Sequence, residues 1–259
     1  MRVLYSIGII LALGGATLRA DSFAYELTGN AGFGTVDLNT GTYTSIGSQA
    51  QQLAGLGVAG GVLYGGLYAG STLYQINAST GAITSVGSAS LNYQAFGSTL
   101  SGLYAIGLDT NLYSINPSTG AQTLEGPTGL SIAGITIGMS TNSSALYYTN
   151  GANLYTLNTS TGAATLVGAM VTTNRVGAMV FEGGALWAGV ESPVSFDTLN
   201  TSTGAATFVS NDSNTAIIYG LAPYSPATSG TPEPGTWSML AAGIGALALL
   251  RRLRVPSQG

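Results

Sequence analysis

An all-β fold of five tandem four-stranded units, closing into a propeller, is what this sequence predicts. Three observations predict it. A punctuating glycine recurs at Gly41, Gly81, Gly120, Gly162 and Gly204, with spacings of 40, 39, 42 and 42 residues. Around it runs one motif, LYQINASTGAITSVG at 73–87 and LYTLNTSTGAATLVG at 154–168, with variants at 112–126, 196–210 and, with a shorter turn, 34–47. Between successive motifs lie two further segments with strand character, giving four strands per unit of about forty residues, the size of a propeller blade.

Within each motif apolar residues alternate before and after the turn, as half-buried strands require. Asn158 and its equivalents can fold into an Asx-turn, and the following glycine supplies the positive φ that the hairpin loop needs. The Asn-x-Ser/Thr sequence at Asn77, Asn158 and Asn200 is thus read first as a turn and only incidentally as a glycosylation sequon. Of the two intervening strands, one is rich in Gly and Ala, at 53–59, 95–100, 132–138, 176–181 and 217–222. The other carries an aromatic or bulky apolar residue, at 23–27, 62–66, 103–107, 146–149 and 186–190. This pattern resembles propellers of the NHL and related families, and the resemblance implies that the Gly/Ala strand is innermost. The last strand, 217–222, would then complete the unit begun by 23–47 and lock the ring, removing the exposed edges that invite aggregation. The rival architecture is a β-solenoid or another open stack of repeats.

The termini read as addresses. Residues 1–20 have a basic start at Arg2, an apolar run over 3–16 and a small residue at Ala20, the organisation of a signal peptide read by the Sec translocon. A repeat domain follows at 21–224 and a Pro/Ser/Gly linker at 225–231. Pro232, Glu233 and Pro234 then precede an apolar segment at 237–250, the basic cluster Arg251, Arg252 and Arg254, and a tail at 255–259. Arginines at that end would keep a transmembrane-type helix in one orientation with the repeat domain outside. The order of motif, apolar run and basic cluster over 232–254 resembles the PEP-CTERM sorting signal. The resemblance implies recognition by an exosortase-type membrane protease in a Gram-negative bacterium that secretes exopolysaccharide.

Composition excludes much chemistry. With no Cys and no His, disulfides, thiolate and imidazole metal sites, cysteine nucleophiles and the Ser-His-Asp triad are all absent. Only 6% of residues are charged, and between Asp21 and Tyr224 nine acids face a single base, Arg175. Such a body repels phosphate backbones, so no nucleic-acid partner is expected. Gly60, Gly61, Gly65 and Gly66 lack the lysine and the helix that a phosphate loop needs.

The acids Glu26, Asp37, Asp109, Glu125, Glu182, Glu191, Asp197 and Asp212 do not recur in register: Asp37 aligns with Gln75 and Ser114, Asp197 with tyrosines. A calcium site in every blade is therefore not expected, and no cofactor is called for, although one structural calcium held by loop acids and carbonyls stays open. The inner strands carry no acid or base before Glu182, which argues against an axial catalytic site. Tyr74, Tyr113 and Tyr155 share one repeat position and read as packing between blades, with a sugar-stacking platform as the alternative. Trp187 is the tryptophan of the repeat domain and the first candidate for carbohydrate contact; Arg175 could pair with Glu182 or Glu191, or meet an acidic sugar. The expected function is an exported, non-enzymatic binding or matrix module at the cell surface, with exopolysaccharide or surface glycans as partners. The alternatives are a carbohydrate-active lyase or hydrolase using two of the acids, or a purely architectural scaffold.

Overall fold

A computed structural model describes residues 22–225 except 68, 89, 91, 131–138, 142 and 171–174. The chain divides after Tyr224 into two units. The segments read from sequence as a signal peptide, 1–20, and as a sorting signal with its apolar run, 232–254, lie outside the described residues, and among those described no helix is long and apolar enough to cross a membrane.

The repeats form a closed five-bladed ring. Blade 1 joins the two ends of the domain, with β1 (Phe23–Thr28), β2 (Gly32–Asp37) and β3 (Thr42–Ser48) continued on the inner side by the last strand of the chain, the Ile218–Pro223 strand. Blade 2 is β4 (Gly57–Ala59), β5 (Val62–Gly66), β6 (Thr72–Ile76) and β7 (Ile83–Ser88), its inner strand extended by a bridge from Leu53 to Leu67. Blade 3 is β8 (Tyr93–Ser98), β9 (Leu103–Gly107), β10 (Asn111–Ile115) and β11 (Gln122–Pro127).

In blade 4 the inner strand expected at 132–138 lies outside the described residues. Just after it, β12 (Ser140–Thr141) pairs in parallel with the inner strand of blade 5, while β13 (Leu146–Thr149), β14 (Asn153–Leu157) and β15 (Ala164–Ala169) make the rest of the blade. Blade 5 is β16 (Val176–Glu182), β17 (Ala185–Glu191), β18 (Val194–Leu199) and β19 (Ala206–Asn211), and the closing strand is β20 (Ile218–Pro223). β20 runs antiparallel to β1 with Glu26 opposite Leu221 and Ala24 opposite Pro223, so the ring is shut as the permutation predicts and an open stack is excluded.

The turn chemistry is the same in all five blades. The side-chain oxygens of Asn77, Asn116, Asn158 and Asn200 accept the amide of the residue two further on at 2.8–2.9 Å, and the glycine at the end of each turn has a φ of 71–77°. Here the alignment of blade 1 needs correction. Asp37 stands at the Asx position, accepting the Asn39 amide at 2.9 Å, so it is the equivalent of Asn77 and not of Gln75. The blade 1 turn is as long as the others.

Every outer strand also carries a β-bulge at one site. Phe33 faces Gly47 but Gly34 faces Ser45, and the same slip follows Leu73, Leu112, Leu154 and Phe196. The bulge brings Gly47, Gly87, Gly126 and Gly168 against the threonine carbonyl of the next blade's turn; a Cβ on Gly168 would lie 2.0 Å from the Thr203 carbonyl oxygen. Blade 5 has Ser210 at this site, and its hydroxyl donates to the Leu38 carbonyl of blade 1 at 2.9 Å.

Between blades, burial is apolar and repetitive. Five clusters, one per seam, hold the ring together, such as Leu73, Phe96 and Tyr113 between blades 2 and 3. Burial of this kind, worth about 25 cal/mol per Å² of apolar surface, is the main force joining blades that share few ladder hydrogen bonds. The inner ends crowd together. Gly97 approaches the Ser140 carbonyl, Gly177 the Ile218 carbonyl, and the buried Thr141 hydroxyl donates across to the Leu56 carbonyl at 2.7 Å. The space at the centre, walled by Gly55, Met139, Gly177 and Gly220, has no room for a water molecule.

Candidate functional site

Among the described residues, the acids and depressions gather at the seam where blade 5 meets blade 1. Four of the acids lie in blade 5 or just beyond it, and two depressions open beside it.

The first depression, of about 430 Å³, is lined by Trp187 and Phe208 together with Ser22, Asn39, Thr198 and Thr207. Trp187 sits on β17 opposite Val180, near the Gly183–Gly184 turn. It is only 4% exposed, its ring packs with Val36, Leu38 and Phe196, and its Nε1 donates to the Glu182 carbonyl at 3.1 Å. The indole is therefore largely covered and contributes to the wall of the depression. The exposed aromatic is Phe208, 59% accessible on the outer strand β19. Leu124 and Leu166 hold the equivalent place on β11 and β15 and are similarly exposed. An indole in the wall bordered by hydroxyls and an amide, with no charged side chain among the described lining residues, suits a neutral polyhydroxylated ligand.

Arg175 lies at the opposite end of the β16–β17 hairpin. Its Nε is 3.4 Å from a Glu191 carboxylate oxygen, and its carbonyl accepts the Glu191 amide. The structure does not bring Arg175 and Trp187 together. The pairing with Glu191 is one of the two that the sequence offered; with the guanidinium about half exposed, it contributes little to stability. Glu191 and Asp212 line the second depression, of about 420 Å³, along with the Ser192-Pro193 turn and Thr215.

Behind this second depression is a pairing that sequence reasoning missed. Glu26, on β1, is completely buried, and among the described residues no amide or hydroxyl group donates to either of its carboxylate oxygens. Its polar neighbour is the carboxyl of Asp212, buried to 7% exposure at the end of β19. Burial, then the Asp212 charge, then the hydrogen bond with Asp212 push the Glu26 carboxyl up to about 9. Asp212 is raised to about 6, chiefly by burial, against the amides of Asn214 and Ser213 and the Glu26 hydrogen bond, which lower it. The Asn214 amide donates to Asp212 Oδ1 at 2.9 Å. Burial together with the Glu26 charge also lifts the nearby Tyr43 phenol to about 12.

A signal for Glu26 existed. In blades 2, 3 and 5 its strand position holds Gly65, Ala105 and Ala188, opposite Tyr74, Tyr113 and Asp197. Blade 1 inverts the pair, with Glu26 opposite Gly34. The other acids stay local. Asp109 accepts from the Tyr113 hydroxyl at 2.6 Å and from the Asn111 side-chain amide at 2.7 Å, bonds that hold its carboxyl below the usual range despite some burial. Asp197, raised by burial, faces blade 4. Among the described residues no group of three acids is placed to hold a metal ion.

No protein-family model matches the chain, and no curated protein matches it. Solved structures do. A chain in the crystal structure of a nidogen/laminin complex aligns over 78% of this chain and 98% of its own, with a TM-score of 0.55 and 10% identity. A structural-genomics protein of unknown function from Bacteroides thetaiotaomicron VPI-5482 is 14% identical (TM-score 0.48), and BamB from Moraxella catarrhalis 17% (TM-score 0.38). They cover 72% and 62% of this chain, which spans about half of each, 49% and 54%. At such identities the likeness is one of fold: a β-propeller, a scaffold that carries many unrelated functions.

Proposed function

We propose that this chain is an exported, surface- or exopolysaccharide-associated binding module that takes a neutral glycan at the Trp187–Phe208 depression. The observation that carries this is the depression itself: the Trp187 indole in its wall, the β19 backbone at Phe208 along its edge, and a rim of Ser22, Asn39, Thr198 and Thr207 with no charged side chain among the described residues. Sugars bind proteins in this way, an apolar ring face on an aromatic and hydroxyls to amides and hydroxyls. The terminal segments supply the rest of the reading: a signal peptide for export, and a Pro232-Glu233-Pro234 motif, apolar run and arginine cluster for processing by an exosortase-type protease.

A non-enzymatic role is favoured by the chemistry present. A glycosidase needs two carboxyls flanking a cleft that admits the glycosidic bond, whereas Glu26 is completely buried and Asp212 nearly so. The test uses the purified full-length chain against neutral and acidic exopolysaccharide. Thr207→Ala, on the surface and on the Trp187 face of β19, is expected to weaken retention on neutral polymer about tenfold while leaving the melting temperature within a degree or two. Equal retention of variant and wild type would remove the depression as the binding site, and no retention of either would remove the glycan.

A further inference from the structure

We propose that Glu26 and Asp212 share a single proton across the seam that closes the ring, making closure a pH-sensitive clasp that holds in acid and slackens in alkali. The geometry leaves little alternative chemistry. Both carboxyl groups are buried at this seam, and among the described residues no amide or hydroxyl donor reaches either Glu26 oxygen or Asp212 Oδ2, which leaves the two carboxyls to each other. Two ionised carboxylates so placed would repel in a low-dielectric setting, whereas one proton between them makes a strong charge-assisted hydrogen bond.

The clasp is well placed. Glu26 belongs to the first strand, opposite Leu221 of the last, and Asp212 begins the segment from β19 to that last strand. The same segment is held to blade 1 by the Ser213 amide on the Gly41 carbonyl and by the Tyr43 amide on the Ser213 hydroxyl, at 2.8 and 2.9 Å. Around Glu26, β2 contributes Gly34, β16 contributes Ala178 and Val180, and β20 contributes Leu221, none of them charged. From β3 comes Tyr43, neutral over the relevant range; from β17, Glu191 reaches the depression beside Asp212 but is paired with Arg175. Glu182, at the far end of β16, lies next to Gly183, which approaches Ser22 before β1.

The direction of the pH effect follows. Glu26 and Asp212 are raised in the fold, from 4.5 to about 9 and from 3.8 to about 6, so the folded chain binds protons that the unfolded chain releases. Stability from the pair is complete below about 4 and declines as the pH climbs towards 9. The full-length chain is therefore expected to melt at least ~4 °C lower at pH 9 than at pH 6. Glu26→Gln, whose amide donates to Asp212 at any pH, should flatten that difference and melt higher than wild type at pH 9. Infrared spectra at pH 7 should show a buried protonated carboxyl band in the wild type that Glu26→Gln lacks, a readout that stands on the wild-type spectrum should the variant fold poorly. Parallel pH profiles for both proteins, or no such band in the wild type, would overturn the proposal. So would calcium chloride raising the melting temperature and abolishing the band, which would assign the carboxyls to a cation instead.

Discussion

Gly168 shows how much of this molecule is decided by single atoms. A methyl group there would stand 2.0 Å from the Thr203 carbonyl oxygen of the next blade, backbone against backbone with nothing flexible to move aside. Gly184, by contrast, has a φ of +81°, and a methyl group on it would meet nothing within 4 Å. Gly168→Ala is expected to cost about 2–3 kcal/mol through overpacking at the seam, and Gly184→Ala about 1 kcal/mol through backbone strain alone. Urea titrations with unchanged slopes would read both; a ranking in the opposite order would mean that the blades do not meet through their outer-strand glycines. The Asn and Gly of each turn were legible because their roles are local: an oxygen two residues from an amide, a φ that needs no Cβ. Glu26 and Asp212 were not, because what makes them partners is a ring closure joining positions 26 and 212, and neither residue recurs in the other repeats.

At the scale of elements, the order of strand types along the chain was enough to anticipate the closing pair, since a domain that begins on the second strand of a blade must end on the first. β20 came out at Ile218–Pro223 against an expected 217–222. The blade 1 alignment was two residues out of step: Phe33 is the counterpart of Leu73, which sets Asp37 at the Asx position as the equivalent of Asn77 and not of Gln75. The burial of Trp187 was not legible in the sequence: alternation along β17 does not say which face of the strand a neighbouring blade will cover. Removing residues 217–224 is expected to leave β1 without its inner neighbour and to abolish the cooperative thermal transition. A synthetic peptide of the same residues should restore it in a concentration-dependent manner, monitored by circular dichroism, and failure to restore any transition would argue that β20 acts through its connection more than through its pairing.

For the whole molecule, the scarcity of charge and the neutral Ser/Thr/Asn/Gly exterior go with the proposed life at the cell surface, and the terminal segments make that testable apart from any ligand. Replacing Pro232, Glu233 and Pro234 together with alanine should leave the repeat domain's melting temperature unchanged while the chain accumulates in the inner membrane with its C-terminal segment attached, detected by fractionation and mass measurement. A variant processed and released like the wild type would detach the motif from sorting.

The pairing of the two chain ends also sets a timetable. As the polypeptide emerges, β1 appears first and is joined by β2 and β3, yet its other hydrogen-bonding edge stays vacant until β20, the last strand, has been made. Contacts between sequence-distant strands form late and slowly, so hairpins within each blade can form as they are made, while the circle itself cannot be completed before residues 218–223 exist.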